Sequence, residues 1–251
     1  MKYALVLVVL ISLILRFPCN TMAIENKEIK EGPLKPNRNN TALVVTDPQN
    51  DFLSENGVAW PLVEKSVKNQ GTIGHLVQLF QEAKKMSIPT FVSPHYYYPY
   101  DYHWEFTGEL ETWMHDHKMY DRTGPLSLKD FEGSGADFLP ILKPYIIQNQ
   151  AIITSPHKIY GPETNDLVLQ LRKSGIDFVV LAGMSANLCV ESHLREFLEQ
   201  GFSVSVVTDA TAAAQIGDLD GYEAALTNFQ MIANEVLTTE EARSFFQSLN
   251  E

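Results

Sequence analysis

The sequence predicts an α/β domain in which a mostly parallel sheet carries helices on both faces. Three observations predict it. Short runs rich in β-branched residues recur along the chain: "TALVVTD", "IPTFVSP", "AIITS", "FVVLAG", "SVSVVTDA" and "EVLT". Stretches with apolar residues at helical spacing lie between them. The runs are almost continuously apolar, as strands buried on both faces are.

Taken in order, "TALVVTD" (41–47) is a buried strand that ends in an acid. A helical stretch follows from about Val63 to Met86. Its positions Leu76, Val77, Phe80 and Ala83 recur at helical spacing, with Gly71 and Gly74 interrupting its middle. "IPTFVSP" (88–94) is the second strand. Residues 95–135 then form a long polar and aromatic insert, "HYYYPYDYHW" at its start, with no clear period. Inserts of this length in a small domain are commonly lids or binding loops. "AIITS" (151–155), "FVVLAG" (178–183) and "SVSVVTDA" (203–210) are three more strands, separated by helices near 163–173 and 187–200. A helix near 219–232, the strand "EVLT" (235–238) and a helix from about Glu240 complete the chain. Strand and helix alternate throughout, so residues 41–251 read as one three-layer αβα domain of Rossmann-like order.

Residues 1–23 read as a secretory signal. Lys2 precedes the run Tyr3 to Leu15, and Thr21-Met22-Ala23 offers small residues at a cleavage site. The run is shorter than the ~18–20 residues a membrane span needs. Residues 24–40 are a polar arm with two prolines. The expected location is secreted or periplasmic, with no stable membrane association after cleavage; an uncleaved anchor is the alternative. The chain has 251 residues, of which 45% are hydrophobic, enough for a real core. Its 19 basic and 31 acidic residues give a net charge of -12. Such a surface argues against nucleic acid and anionic membranes as partners. Cleavage would remove Cys19, leaving Cys189 without an internal disulfide partner.

Ligands in open α/β sheets bind beyond the carboxyl ends of the strands. Three reactive side chains fall there. Asp47 ends the first strand, Lys158 follows the strand at 151–155, and Cys189 follows "FVVLAG". Val190, Leu194, Phe197 and Leu198 mark the core face of the helix after Cys189, while Ser185 and Asn187 are good N-cap types. Cys189 therefore sits in the first turn. There the helix N-terminus and a nearby lysine lower a thiol pKa, and amide N–H groups can hold an oxyanion. Assembled, Asp47 moves the proton, Lys158 favours thiolate, and Cys189 forms an acyl intermediate that water cleaves. Each residue also has a plainer reading. Asp47 could cap a turn, Lys158 could be a surface lysine, and Cys189 could be an inert buried thiol or an intermolecular bridge.

Three blocks sharpen the choice: "ALVVTDPQNDFL" (42–53), "SPHKIYGPETNDLVLQLRKSGIDFVVLAGMSANLCVES" (155–192) and "VTDATAA" (207–213). In this order they resemble the isochorismatase-like cysteine hydrolase superfamily, which includes nicotinamidases and N-carbamoyl amide hydrolases. The resemblance implies a catalytic triad of Asp47, Lys158 and Cys189. It also implies a cis peptide at Met184–Ser185 and oxyanion donors on the backbone of Ser185 and Cys189. The implied assembly is a homo-oligomer. The implied substrate is a small amide or carbamoyl compound, cleaved at a C–N bond through a thioester. Vinyl ether hydrolysis, as in the true isochorismatases, is the alternative chemistry. A secreted binding or effector protein on a hydrolase scaffold is the non-enzyme alternative.

Nicotinamidases carry an Asp-x-His with a second histidine that binds a metal. Here His95, Asp101 and His103 are present at other spacings, so no metal and no cofactor is expected. His115-x-His117 has zinc-like spacing but lies in a polar loop. Tyr96, Tyr97, Trp104 and Tyr160 could wall a substrate pocket, or pack the insert down. "GMSAN" nearly matches the serine-hydrolase elbow, but the only later histidine is His193 on the same helix. A cysteine–histidine dyad using His157 is a better rival, although the lysine beside it fits the superfamily. "GSGADF" (133–138) lacks the third glycine of a dinucleotide fingerprint and follows no strand.

Overall fold

β1 (Thr41–Thr46) is buried along its whole length and lies in the middle of a six-stranded parallel sheet. The computed structural model describes residues 35–148 and 151–250. The expected signal segment and Cys19 lie outside the described residues. The other strands of the sheet are β2 (Thr90–Ser93), β3 (Ile152–Ile153), β4 (Phe178–Met184), β5 (Ser203–Ala212) and β8 (Glu235–Leu237). A short antiparallel pair, β6 (Gln215–Ile216) and β7 (Leu219–Asp220), lies outside it. All six expected strands form, and their order is β3-β2-β1-β4-β5-β8.

Because strand side chains alternate, β1 feeds two cores at once. Leu43 and Val45 enter one, and Ala42 and Val44 the other. The short α1 (Asn50–Leu53) puts Phe52 and Leu53 into the first core, which is closed by α2 (Trp60–Gln70), α3 (Thr72–Lys85) and α8 (Thr239–Ser248), through residues such as Val63, Leu79, Phe80 and Phe246. The second is closed by α5 (Leu167–Lys173), α6 (Glu191–Glu199) and α7 (Gly221–Ile232), through Leu171, Leu194, Phe197 and Phe229. The result is the expected three-layer arrangement.

Two expectations need correction. The single helix over 63–86 is two helices. Gly71 divides them with a φ of 64°, a left-handed conformation that glycine adopts at no steric cost. The insert at 95–135 is not wholly irregular. It contains α4 (Glu109–Asp116), whose start is fixed by the Glu111 carboxylate accepting the Gly108 N–H at 3.1 Å. Met114, Met119 and Tyr120 anchor this insert in the first core. Of the polar arm, residues 35–40 are described; Arg38 donates its N–H to the Asn250 carbonyl at 3.0 Å.

The chain leaves β1 toward β2 on one side and returns to β4 on the other. Neighbouring connections thus diverge above β1 and β4, the place where such sheets open a crevice.

Candidate active site

Asp47 is the first residue beyond β1. Its φ is 46°, a left-handed conformation that aspartate tolerates better than most residues. Its N–H donates to the Ser93 carbonyl at 3.0 Å, which ties it to the end of β2. The side chain is fully buried. Oδ1 accepts a hydrogen bond from His157 Nε2 at 2.8 Å, while Oδ2 makes no hydrogen bond to nitrogen or oxygen.

Cys189 arrives from β4. The Met184–Ser185 peptide is cis, and a wide helical turn, Ala186–Val190, leads into α6. Cys189 is thus in the first turn, as its spacing predicts. Its accessibility is only 3%, so an intermolecular bridge has no access to the sulfur in this conformation. Burial pushes the thiol well above its usual pKa, and the Asp47 charge adds to that. The N–H groups of Ser185 and Cys189 act the other way. The expected help from Lys158 is not what this environment provides.

Lys158 and His157 explain the difference. His157 lies beside His95 in a parallel bridge, with its N–H on the Pro94 carbonyl at 3.1 Å. His157 is the bridge residue, and the chain bends at Lys158 immediately after it. His157 points in, to Asp47. Lys158 points the other way, where Nζ donates to the Tyr96 carbonyl at 2.9 Å and to the Asp101 carboxylate. Its ammonium also lies 4.0 Å from the Tyr98 ring centroid. Burial pulls the Lys158 pKa down, and Asp101 opposes that. Of the three expected residues, Asp47 and Cys189 come together, and Lys158 is engaged elsewhere.

A ring of buried groups surrounds the pair. His95 stacks on Tyr120 with centroids 4.7 Å apart and meets the His157 ring at 4.7 Å. Its Nε2 bonds the Lys158 carbonyl at 2.9 Å. Burial first, then the charge of His157, holds the His95 pKa well below the ordinary histidine value. His193 joins Ser93 Oγ at 2.9 Å to the Cys189 carbonyl at 2.7 Å, and so braces the turn that carries the thiol. Ser185 Oγ lies near Asn187 and the Ala212 carbonyl, at 3.4 Å each, and meets no histidine. Gln49 binds the site together. Its side chain bonds the His95 N–H and carbonyl and the Ala136 carbonyl, at 2.8, 2.9 and 2.7 Å.

The four expected aromatics separate. Tyr96 turns away into a cluster with Tyr98, Ala136 and Phe131. Tyr97 is fully buried against His95, Trp104 and His115, and its hydroxyl has no partner. Trp104 is half-buried behind Tyr97. Tyr160 is half-buried near Glu111 and Cys189, whose charges add to burial in raising its hydroxyl pKa. A small apolar cavity of about 50 Å³ touches Ser185 and Leu188, walled by Phe52, Trp113, Met114 and Met119.

Asp47, His95, His157 and Cys189 offer ligand atoms all within 4.8 Å of one another. A zinc ion holds nitrogen, oxygen and sulfur ligands at about 2.0–2.3 Å, so the four are the residues placed to approach a metal. The His115-x-His117 pair is not so placed. His117 Nδ1 is taken by the Trp113 carbonyl at 2.7 Å, and His115 packs edge-on to Tyr97.

His95, Tyr120, Gln49 and His193 had no signal in the spacing, because their roles depend on contacts between distant segments. His157 had one: it stands immediately beside Lys158, at the point where the chain bends.

An isochorismatase domain model matches residues 41–241. The chain is 51% identical over 49 residues to the isochorismatase family protein YecD of Escherichia coli O157:H7, a match that covers 26% of that protein. It is 29% identical over 185 residues to nicotinamidase 3 of Arabidopsis thaliana, covering 70% of this chain and 75% of that one. In structure it resembles a cysteine hydrolase from Pseudomonas syringae pv. phaseolicola 1448A. The TM-score is 0.68 at 22% identity, over 87% of this chain and 99% of that one. With its sheet, its buried Asp47 and its Cys189 at the start of a helix, the chain belongs to the isochorismatase family.

Proposed function

We propose that the protein is a cysteine hydrolase that cleaves a C–N bond of a small amide or carbamoyl compound. The observation that carries this is the meeting of the Cys189 thiol with the buried, half-unpartnered Asp47 carboxylate, with the N–H groups of Ser185 and Cys189 turned to the sulfur. Asp47 takes the thiol proton as sulfur attacks the carbonyl carbon. The oxyanion sits on the two N–H groups. Asp47 returns the proton to the leaving nitrogen, the C–N bond breaks, and a thioester remains. Water then adds to the thioester with Asp47 as base, which releases the acid and restores the thiol.

The resting thiol is neutral by this account, since burial and Asp47 both disfavour its anion. Proton transfer is therefore coupled to attack. The apolar cavity beside Ser185 and Leu188 carries no charged side chain and suits a small uncharged acyl group. Similarity to a nicotinamidase supports a C–N bond over a vinyl ether.

The burial of Cys189 also supports a second reading, a binding protein on this scaffold. Against it stands Asp47. A buried carboxylate whose second oxygen is left to a thiol, on a left-handed backbone, is costly, and a binder gains nothing from it.

The test is ammonia release from a panel of small primary amides, ureas and carbamoyl acids. We expect turnover of one class and a loss of at least ~100-fold in both Cys189→Ala and Asp47→Asn. Full activity in Cys189→Ala removes the nucleophile assignment. No turnover across the panel, with Cys189 inert to alkylation, favours the binder.

A further inference from the structure

We propose that the groove between the aromatic insert and the β3 edge of the sheet is a second ligand site, that it takes a small carboxylic acid with an apolar body, and that Arg122 holds the carboxylate. The proposal goes beyond the reading of Cys189 and Asp47 and does not depend on it.

The groove has a volume of about 560 Å³, within the ~300–1,000 Å³ range of small-molecule sites. Tyr96, Tyr98, Phe131, Phe138 and Ile153 wall it, and Arg122 is the charged residue among those that line it. Asp47, His157 and Cys189 do not line it. The insert brings these parts together. A parallel bridge joins Tyr97 to Asp121, and the Arg122 N–H donates to the Tyr97 carbonyl at 2.8 Å. Arg122 is thereby set beside Tyr96 and Tyr98, whose side chains share a cluster with Phe131. Burial raises the pKa of both tyrosine hydroxyls and the Arg122 charge opposes it, so the field of the guanidinium reaches the groove wall.

The guanidinium is held in place but not satisfied. It lies 4.7 Å from the Tyr96 ring centroid and 4.4 Å from that of Phe131. Nη2 donates to the Ser127 carbonyl at 2.8 Å, while Nε is buried without a hydrogen-bond partner. No ion pair among the described residues includes Arg122, although the chain has 31 acidic residues. A part-buried charge without a counter-ion is costly, and the planar fork has five donors to offer. A carboxylate fits the open edge of that fork and cancels its single charge. A phosphate dianion would leave an excess negative charge in an apolar groove of an acidic protein. The aromatic and aliphatic walls give the rest of the ligand an apolar seat.

The experiment is calorimetric titration of the full chain with phenylacetate, with 2-phenylethanol as its uncharged counterpart and phenyl phosphate as a second anion. We expect phenylacetate to bind with a Kd of about 1 mM or tighter, and both controls at least ~10-fold more weakly. Hydrogen exchange should slow at residues 122–131 and 153–156 when phenylacetate is added. Arg122→Gln should weaken binding at least ~10-fold, as loss of a charged hydrogen-bond partner does. Ile153→Glu puts a negative charge in the groove at a position 43% exposed, and should weaken binding as much. No binding of phenylacetate overturns the proposal, as does equal binding of either control. A Kd unchanged in Arg122→Gln also overturns it, since the acid then sits elsewhere, the Cys189 site included. If Arg122→Gln does not fold, Ile153→Glu decides: an unchanged Kd overturns the proposal, and a weakened one supports it. Exchange at 122–131 that slows with protein concentration, and not with phenylacetate, would give the groove to a second copy of the chain and overturn the proposal as well.

Discussion

Gly183 presses against Thr46. A Cβ at position 183 would stand 2.1 Å from the Thr46 carbonyl oxygen, and the φ of Gly183 is 115°. Thr46 Oγ1 in turn donates to the Met184 carbonyl at 2.9 Å. The ends of β1 and β4 are therefore drawn together immediately before Asp47 and the Cys189 turn. A side chain on Gly183 would push apart the two strand ends that bring carboxylate and thiol into range.

Gly183→Ala should accordingly cost about 3 kcal/mol or more, through both the clash and the positive φ. Urea unfolding monitored by tryptophan fluorescence measures it. A change below ~0.5 kcal/mol would mean that the strand ends can separate freely.

Gln49 makes three buried hydrogen bonds with its side-chain amide, to both backbone groups of His95 and to Ala136. Gln49→Ala leaves those groups without partners. The expected loss is about 3 kcal/mol, on the basis of ~1 kcal/mol or more for each buried group left unpaired. Chemical denaturation gives the value. Hydrogen exchange should show the loss at residues 95–98 and 134–138 first.

His95 and His193 have pKa values held well below the ordinary value, by burial first and by the charge of His157 second. In the unfolded chain both protonate near pH 6.5. Below that pH the unfolded state binds protons that the folded state refuses. Their contribution is thus complete above about pH 6.5 and is lost as pH falls from there toward the folded pKa values. The slope is at most about 1.4 kcal/mol per pH unit for each histidine. Urea midpoints at pH 8, 7, 6 and 5 should be level between 8 and 7 and fall from 6 to 5. Equal midpoints at pH 7 and pH 5 would contradict this burial.

Much of the fold was legible because strands and helices announce themselves locally. β-Branched runs and helical spacing located the six sheet strands to within a few residues, and Gly71 stood where the long helix breaks. α4 was hidden, although Leu110, Trp113 and Met114 have helical spacing. Dense aromatics on both sides mask that period. Asp47 and Cys189 were legible, together with Lys158, because Asp47 directly follows β1 and Cys189 lies one helical turn beyond β4, and parallel strands deliver their ends to one rim.

The amino-acid sequence by itself determined the parallel sheet, the rim on which the chemistry gathers, and the place of Cys189 in the first turn of a helix. Tertiary structure alone decided that His157 rather than Lys158 reaches Asp47, that Tyr96 turns away, and that the thiol is buried, which raises its pKa. The physical reason is the local path of the chain, and burial. The chain bends immediately after the His157 bridge, so two adjacent residues reach different partners, Asp47 and Asp101. The ionisation of each group then follows from which neighbours the fold brings against it.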